Sequence, residues 1–98
     1  MIYELAFTIE AEETFDLIIE QLLNRWGIRT VLKFQELTTI SLEKIKDNPF
    51  LYQVIDEYTD VRRCVIHANC SVIYHVYGNK IQVLCFWDNR QNPIIGLH

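Results

Sequence analysis

The chain has 98 residues, half of them apolar and 22% charged, with a formal net charge of −4. We expect one domain over residues 1–98, because a chain this short builds one core, and its apolar content excludes disorder. An acidic chain also lacks the overall positive charge of proteins that hold nucleic acid mainly through phosphates, so such a role would need a local basic patch.

The sequence favours a cytoplasmic protein without membrane contact. Its longest apolar runs fall well below the roughly 20 residues that span a bilayer, and its first residues lack the basic region and cleavage site of a signal peptide. Its three cysteines are an odd number without framework spacing, which is typical of free thiols in a reducing compartment: Cys64, Cys70 and Cys85.

Metal and cofactor chemistry have little support. Cys64, His67, Cys70 and His75 are zinc-type ligands, but residues 64 and 67 of a strand point to opposite faces and no Cys-x-x-Cys pair is present. There is no glycine-rich phosphate loop, and a nucleophilic Cys or Ser would need a histidine that the sequence cannot position. We therefore expect no metal and no cofactor.

The first half of the chain predicts a strand followed by two helices. Ile2–Phe7 is rich in strand formers, and Thr8 is a suitable N-cap for a helix over residues 9–26. Apolar residues follow at helical spacing: Phe15, Ile18, Ile19, Leu22, Leu23 and Trp26. The pattern places Trp26 in the core, where its loss would cost about 3–5 kcal/mol.

Gly27 is available as a left-handed cap, and a second helix over 28–47 ends before Asn48-Pro49. The two helices then form a tight hairpin. Arg25, Arg29 and Lys33 lie around its turn, and the simplest interpretation of this basic row is a solvated face. Residues 50–60 are expected to form an irregular connection.

The second half changes to a period of two. Strands are predicted over 61–67, 71–77 and 80–87, and Gly78-Asn79 suits a two-residue hairpin turn. Two helices cover only one face of a four-stranded sheet, so apolar surface is left over. It is either shielded by a tail such as residues 94–97 or covered by another chain.

Three arginines are the candidate functional residues: Arg62, Arg63 and Arg90, with Asn89 and Gln91 beside the last. An arginine at the open end of a strand binds phosphate or carboxylate as a two-pronged donor. The alternative is that these side chains pair with Asp56, Asp60 or Asp88 to tie the sheet to the preceding loop. If the strands form a meander, Arg90 is expected near Arg62 or Arg63, forming a local positive site.

Five short motifs accompany the order of strand, helix hairpin and meander: RWG at 25–27, NPFLYQVIDE at 48–57, VRRCVI at 61–66, SVIYHV at 71–76 and NRQNP at 89–93. With this order and these motifs, the chain resembles the RelE/ParE family of bacterial toxins from type II toxin–antitoxin modules. The resemblance implies an α+β, βααβββ fold with the helix hairpin on one face of a mainly antiparallel four-stranded sheet. It also implies a cognate antitoxin partner that covers exposed helix and sheet surface, and oligomers formed through it.

Two activities occur in that family, gyrase inhibition in the ParE type and ribosome-dependent mRNA cleavage in the RelE type. By resemblance, Arg62 and Arg90 fall on basic positions, whereas two other RelE basic positions are here Cys64 and Ser71. No tyrosine follows Arg90, so the RelE chemistry lacks its proton-transfer group apart from the terminal His98. We therefore favour a ParE-like toxin that binds its target and is not an enzyme. The alternatives are a RelE-like mRNA endonuclease acting through Arg62 and Arg90, and a degenerate member that only binds its antitoxin.

Overall fold

The computed structural model describes residues 2–67 and 70–89, which form a five-stranded sheet with two helices on one face. The elements in chain order are β1 (Glu4–Phe7), α1 (Ile9–Trp26), α2 (Ile28–Asp47), β2 (Gln53–Asp56), β3 (Val61–His67), β4 (Cys70–Tyr77) and β5 (Lys80–Asp88). The strand order is β1-β5-β4-β3-β2. The α+β class and the helix hairpin over the sheet are confirmed, with one strand more than predicted. Among the described residues, no helix has the length and apolar character needed to cross a membrane.

The sheet is antiparallel except at one edge. β1 pairs in parallel with β5, from Glu4 opposite Lys80 to Phe7 opposite Val83. Beyond Phe7 the chain turns into α1, and threonine side chains of that turn and helix form hydrogen bonds with the backbone of β5 that β1 leaves unpaired. Thr8 Oγ1 donates to the Leu84 carbonyl over 2.8 Å, and Thr14 Oγ1 accepts from the Phe86 N–H over 2.9 Å. The edge of β5 is thereby satisfied by side chains where its neighbouring strand ends.

Capping residues set the ends of α1 where the sequence predicts them. Thr8 Oγ1 accepts from the Ala11 N–H over 3.0 Å, which confirms the N-cap. Gly27 has φ +93° and ψ −176°, and its N–H donates to the carbonyls of Leu22 and Leu23. A side chain is strained at this φ, so glycine lets α2 begin immediately after α1.

The core lies between the helices and one face of the sheet. Val72, Tyr74, Ile81 and Val83 are completely buried there. Phe15 of α1 joins the layers, with its ring centroid 5.7 Å from Phe34 and 5.0 Å from Phe86.

Two predictions about local structure are wrong. The segment 50–60 is not wholly irregular, because Gln53–Asp56 pairs with β3 as the edge strand β2. Trp26 is 62% exposed instead of buried. It is the last residue of α1, and the residues across the adjoining cavity, His67, Cys70 and Asp88, belong to the ends of strands and not to the sheet's interior.

Candidate functional site: two arginines on opposite faces of β3

Arg62 faces the helices and ties the loop after α2 to the sheet. It lies opposite Tyr74 on β4, and its side chain is only 13% exposed. One terminal nitrogen donates to the carbonyls of Phe50 and Tyr52, both over 2.9 Å, and the other donates to Asp60 over 3.0 Å. The guanidinium carbon also lies 5.2 Å from the centre of the Phe50 ring. These contacts use most of its donors, so Arg62 has the geometry of a structural tie.

Weakly acidic groups surround this tie on the helix side. Burial raises the pKa of the Tyr74 phenol, whose hydroxyl donates to the Pro49 carbonyl over 2.6 Å. Burial also raises the pKa of the Cys64 thiol, against the lowering effects of Lys44 and of a hydrogen bond with Tyr52. A thiol with a raised pKa is a poor nucleophile at neutral pH, so Cys64 is suited to packing and not to covalent catalysis.

Arg63 faces the other way, onto the sheet face opposite the helices. One of its terminal nitrogens donates to Gln53 Oε1 of β2 over 3.0 Å, while its buried Nε has no hydrogen-bond partner among the described residues. Successive residues of a strand alternate between faces. The structure therefore separates Arg62 from Arg63, and the two guanidinium groups do not converge.

Asn89 follows β5 on the same sheet face as Arg63. Its Nδ2 donates to Ser71 Oγ over 3.0 Å, and Ser71 is completely buried. The Asn89 Oδ1 is buried with no hydrogen-bond partner among residues 2–67 and 70–89. The other two predicted residues, Arg90 and Gln91, lie outside the described residues.

The sequence interpretation missed a histidine on this face. His75 of β4 lies two residues beyond Ile73, the partner of Arg63 across the β3–β4 ladder, so Arg63 and His75 are diagonal neighbours. Such neighbours lie roughly 7–8 Å apart, within reach of long side chains. His75 Nε2 lies 3.2 Å from Gln82 Oε1, and its ring is stacked with Tyr77 at 5.6 Å. The alternation of the predicted strand already placed residues 71, 73, 75 and 77 together, which was the available signal.

The apolar surface left over by the fold lies chiefly on the helices and loops. Ile73 is only 3% exposed although it faces away from the helices. Large exposed side chains are concentrated around the helix hairpin and the loop after α2: Leu23, Trp26, Ile28, Leu32, Phe50 and Leu51. Within the described part of the chain, no group of three metal-ligating side chains occurs.

The sequence and the fold of this chain give different results when each is compared with known proteins. No protein-family profile matches the sequence, and no curated protein matches it. A chain of the chromosomal ParDE TA (toxin–antitoxin) system from P. aeruginosa superposes with a TM-score of 0.75 at 19% identity, over 89% of this chain and 96% of that one. The protein has the RelE/ParE toxin fold.

Two structures from Helicobacter pylori are similar to this toxin fold at lower TM-scores. A copper-bound mutant toxin superposes with a TM-score of 0.57 at 19% identity, covering 94% of this chain and 99% of that one. The solution structure of the conserved hypothetical protein HP0894 has a TM-score of 0.57 at 18% identity, covering 92% and 97%. Nearly the whole length of each chain is therefore shared as a fold.

Within this toxin fold, Cys64 and Ser71 stand at two positions where the resemblance implies basic residues. Cys64 is 4% exposed on the helix side, and Ser71 is completely buried on the other face. Neither is charged at neutral pH. On the sheet face that carries His75, two cations are diagonal neighbours of this histidine: Arg63 on β3 and Lys80 at the start of β5.

Proposed function

We propose that this chain is the toxin component of a type II toxin–antitoxin module, neutralised by a cognate antitoxin and acting by binding its target, with DNA gyrase as the favoured target. The observation that carries the proposal is the superposition on a chain of a ParDE system over 89% of the sequence at a TM-score of 0.75. Exposed apolar side chains around the helix hairpin support it, because a monomer leaves such surface to a partner.

We assign target or antitoxin contacts to the arginines whose side-chain donors are not mostly used in hydrogen bonds within the fold. The Arg63 side chain donates to Gln53 on an exposed part of the sheet, which leaves the outer side of its guanidinium open to a partner. We keep Asn89, Arg90 and Gln91 as residues of the same contact, since they follow β5 directly in the sequence. Arg62 belongs to the proposed site only indirectly, through the loop that it ties down.

The test is expression in a bacterium that lacks the partner, followed by assays on the purified protein. Growth arrest with intact mRNA, and inhibition of gyrase supercoiling by the purified chain, are the expected results. Unimpaired growth with a folded protein would refute toxicity and leave the degenerate, antitoxin-binding member.

Arg90 gives this test its sharpest variant. Arg90→Ala should abolish growth arrest while shifting the thermal midpoint by only a few degrees, because a charge that serves a partner contact usually adds no more than about 1 kcal/mol to folding stability. Arg90→Lys should rescue in part, since an ammonium lacks the planar fork. Arg25→Ala, a change of equal charge on the helix hairpin, is the control. Loss of stability together with toxicity would make Arg90 structural.

A RelE-like mRNA endonuclease is the second candidate, and the arrangement of Arg63 with His75 favours it. An imidazole can transfer a proton and a neighbouring guanidinium can stabilise the charge of a phosphate, which are the two functions that RNA cleavage requires. In that case His75→Ala and Arg63→Ala would each abolish both growth arrest and mRNA cleavage mapped by primer extension. Arrest that survives His75→Ala, with uncleaved mRNA, would eliminate this candidate.

A further inference from the structure

A cavity of about 640 Å³ lies between α1 and α2, and we call it the interhelical cleft. Three aromatic rings line it, from Phe7 of β1, Phe15 of α1 and Phe86 of β5. The centroids of the Phe15 and Phe86 rings lie 5.0 Å apart, and Phe7 is 44% exposed. Pockets that hold small organic molecules have volumes of about 300–1,000 Å³ and mostly apolar walls with a few polar groups. The interhelical cleft has the size and the apolar lining of such a pocket.

Two carboxylates of α1 line one wall of the interhelical cleft. Glu12 and Asp16 lie four residues apart, which places their Cβ atoms about 5–6 Å from each other on a helix. Both side chains are exposed, neither forms an ion pair within the described part of the chain, and no described lysine or arginine lines the cleft. Glu12 belongs to the first turn of α1, where a carboxylate stabilises the helix end. Asp16 lies beyond that turn, so capping does not account for its charge.

The polar groups of the opposite wall are mainly hydrogen-bond acceptors. Thr38 and Thr39 of α2 line this wall, and Thr38 is only 5% exposed. Their hydroxyls donate to the carbonyls of Phe34 over 2.8 Å and of Gln35 over 3.1 Å. Because each hydroxyl hydrogen is already used, its oxygen can only accept from a ligand. An ammonium group, which only donates, complements these oxygens and the two carboxylates, whereas an anionic ligand would find a donor only in the Gln35 amide.

We propose that the interhelical cleft binds a small organic cation, a primary ammonium carried on an aromatic body. The aromatic body packs against the phenylalanine rings, and the ammonium lies between the carboxylates of α1 and the threonine oxygens of α2. The faces of the phenylalanine rings also attract a cation. The inference goes beyond the proposed function, because it gives the chain a small-molecule ligand in addition to its protein partners.

The probe is tryptamine, titrated into the purified full chain and followed by isothermal calorimetry. We expect one-to-one binding with a Kd below about 1 mM. Tryptophol keeps the indole but replaces the ammonium with a hydroxyl, and it should bind at least about tenfold more weakly. Ethylammonium keeps the charge but lacks the aromatic body, and it should not bind. Failure of tryptamine to bind would overturn the proposal, and equal binding of tryptophol would overturn the recognition of charge.

Two double variants of equal charge test the carboxylates. Glu12→Gln combined with Asp16→Asn should weaken tryptamine binding at least about tenfold, because the ammonium loses both counter-charges. Glu13→Gln combined with Glu20→Gln removes the same charge from exposed positions of α1 outside the cleft and should leave binding unchanged. The amides have nearly the shape of the acids, and a thermal melt checks that each variant is folded. An equal loss in the two double variants would overturn the site, because net charge would then explain the binding.

Nuclear magnetic resonance locates the bound probe in the unmodified protein. Tryptamine should shift the backbone N–H signals of Thr38 and Thr39 more than those of Arg63 and Lys80, which lie on the sheet face opposite the helices. Larger shifts on the sheet face would overturn the assignment to the interhelical cleft.

A dipeptide of tryptophan and lysine with blocked ends carries the same two groups on a peptide backbone. Tighter binding of this dipeptide than of tryptamine would overturn the small-molecule assignment and identify a basic protein segment as the ligand. These titrations need no toxicity. A chain that binds tryptamine yet permits normal growth refutes only the toxin assignment, and a chain that arrests growth yet binds no tryptamine refutes only the cation site.

Discussion

Replacing Arg62 should destabilise the protein far more than replacing its neighbour Arg63. Arg62→Ala removes two hydrogen bonds to the carbonyls of Phe50 and Tyr52 and one to Asp60. It leaves those acceptors without the donor that now ties the loop after α2 to the sheet. The matched variant, Arg63→Ala, removes one side-chain bond, to Gln53, on the opposite face.

The magnitude follows from the charge and exposure of these bonds. A hydrogen bond from a charged donor contributes about 1.5–3 kcal/mol when buried. The Arg62 side chain is 13% exposed but that of Asp60 is 42% exposed, so the ion pair contributes little beside the two carbonyl contacts. The buried Arg62 Nε has no hydrogen-bond partner in the described chain, which offsets part of the gain. We expect a loss of about 2–4 kcal/mol for Arg62→Ala and below about 1 kcal/mol for Arg63→Ala.

Urea unfolding followed by circular dichroism gives the free energy of unfolding of both variants and the parent chain, and thermal unfolding gives their midpoints. The thermal midpoint of Arg62→Ala should fall on the order of 10–20 °C, and Arg62→Lys should recover part of the loss, because an ammonium cannot reproduce the planar fork. Equal stability losses in the two alanine variants would refute the assignment of Arg62 as a tie. An Arg62→Ala protein of normal stability without toxicity would place Arg62 in the functional contact instead.

Three further outcomes are expected. Trp26→Ala should cost less than about 1 kcal/mol in urea unfolding, since the side chain is 62% exposed; a loss of about 3 kcal/mol or more would indicate burial. Tyr74→Phe should cost about 1–2 kcal/mol by removing the donor to the Pro49 carbonyl, and an unchanged midpoint would contradict that bond. Burial, aided by Glu10, raises the pKa of the Cys85 thiol from 9.0 to about 11. Alkylation of this thiol by iodoacetamide should therefore accelerate only as the pH approaches about 11, and an inflection near pH 9 in the folded protein would contradict the shift. The contribution of Cys85 to stability should fall as the pH rises from about 9 to about 11, because the thiol of the unfolded chain loses its proton first.

The elements with strong periodicity were predictable because local sequence dictates them. The helix over 9–26 has its N-cap at Thr8 and its glycine at the following turn, and the structure has α1 at Ile9–Trp26. The strands at 71–77 and 80–87 are one residue longer in the structure, beginning at Cys70 and ending at Asp88. β2 was missed because four residues are too short to display a period, and its pairing depends on β3, which comes later in the chain.

The site was harder to predict because it depends on which face of the sheet the helices cover. The alternation of strand residues was sufficient to place Arg62 and Arg63 on opposite faces, and also to place His75 on a face with Ile73. It did not say that Arg62 faces the helices, since that requires the contact of α2 with β3 and the position of the Phe50 and Tyr52 carbonyls. The prediction that Trp26 is buried was wrong for the same reason. Helical periodicity indicates which side of the helix faces the core, but it does not indicate where along the helix the sheet ends.

The parallel pairing of β1 with β5 has a consequence for synthesis of the protein. Thr8 and Leu84, which are hydrogen-bonded in the fold, are separated by 76 residues. On the ribosome the helix hairpin can form early, because its contacts are local, but β1 has no partner until β5 has left the exit tunnel. The sheet therefore closes only after β5 has been synthesised, and a chain truncated before β5 would keep the hairpin while lacking the strand that pairs with β1.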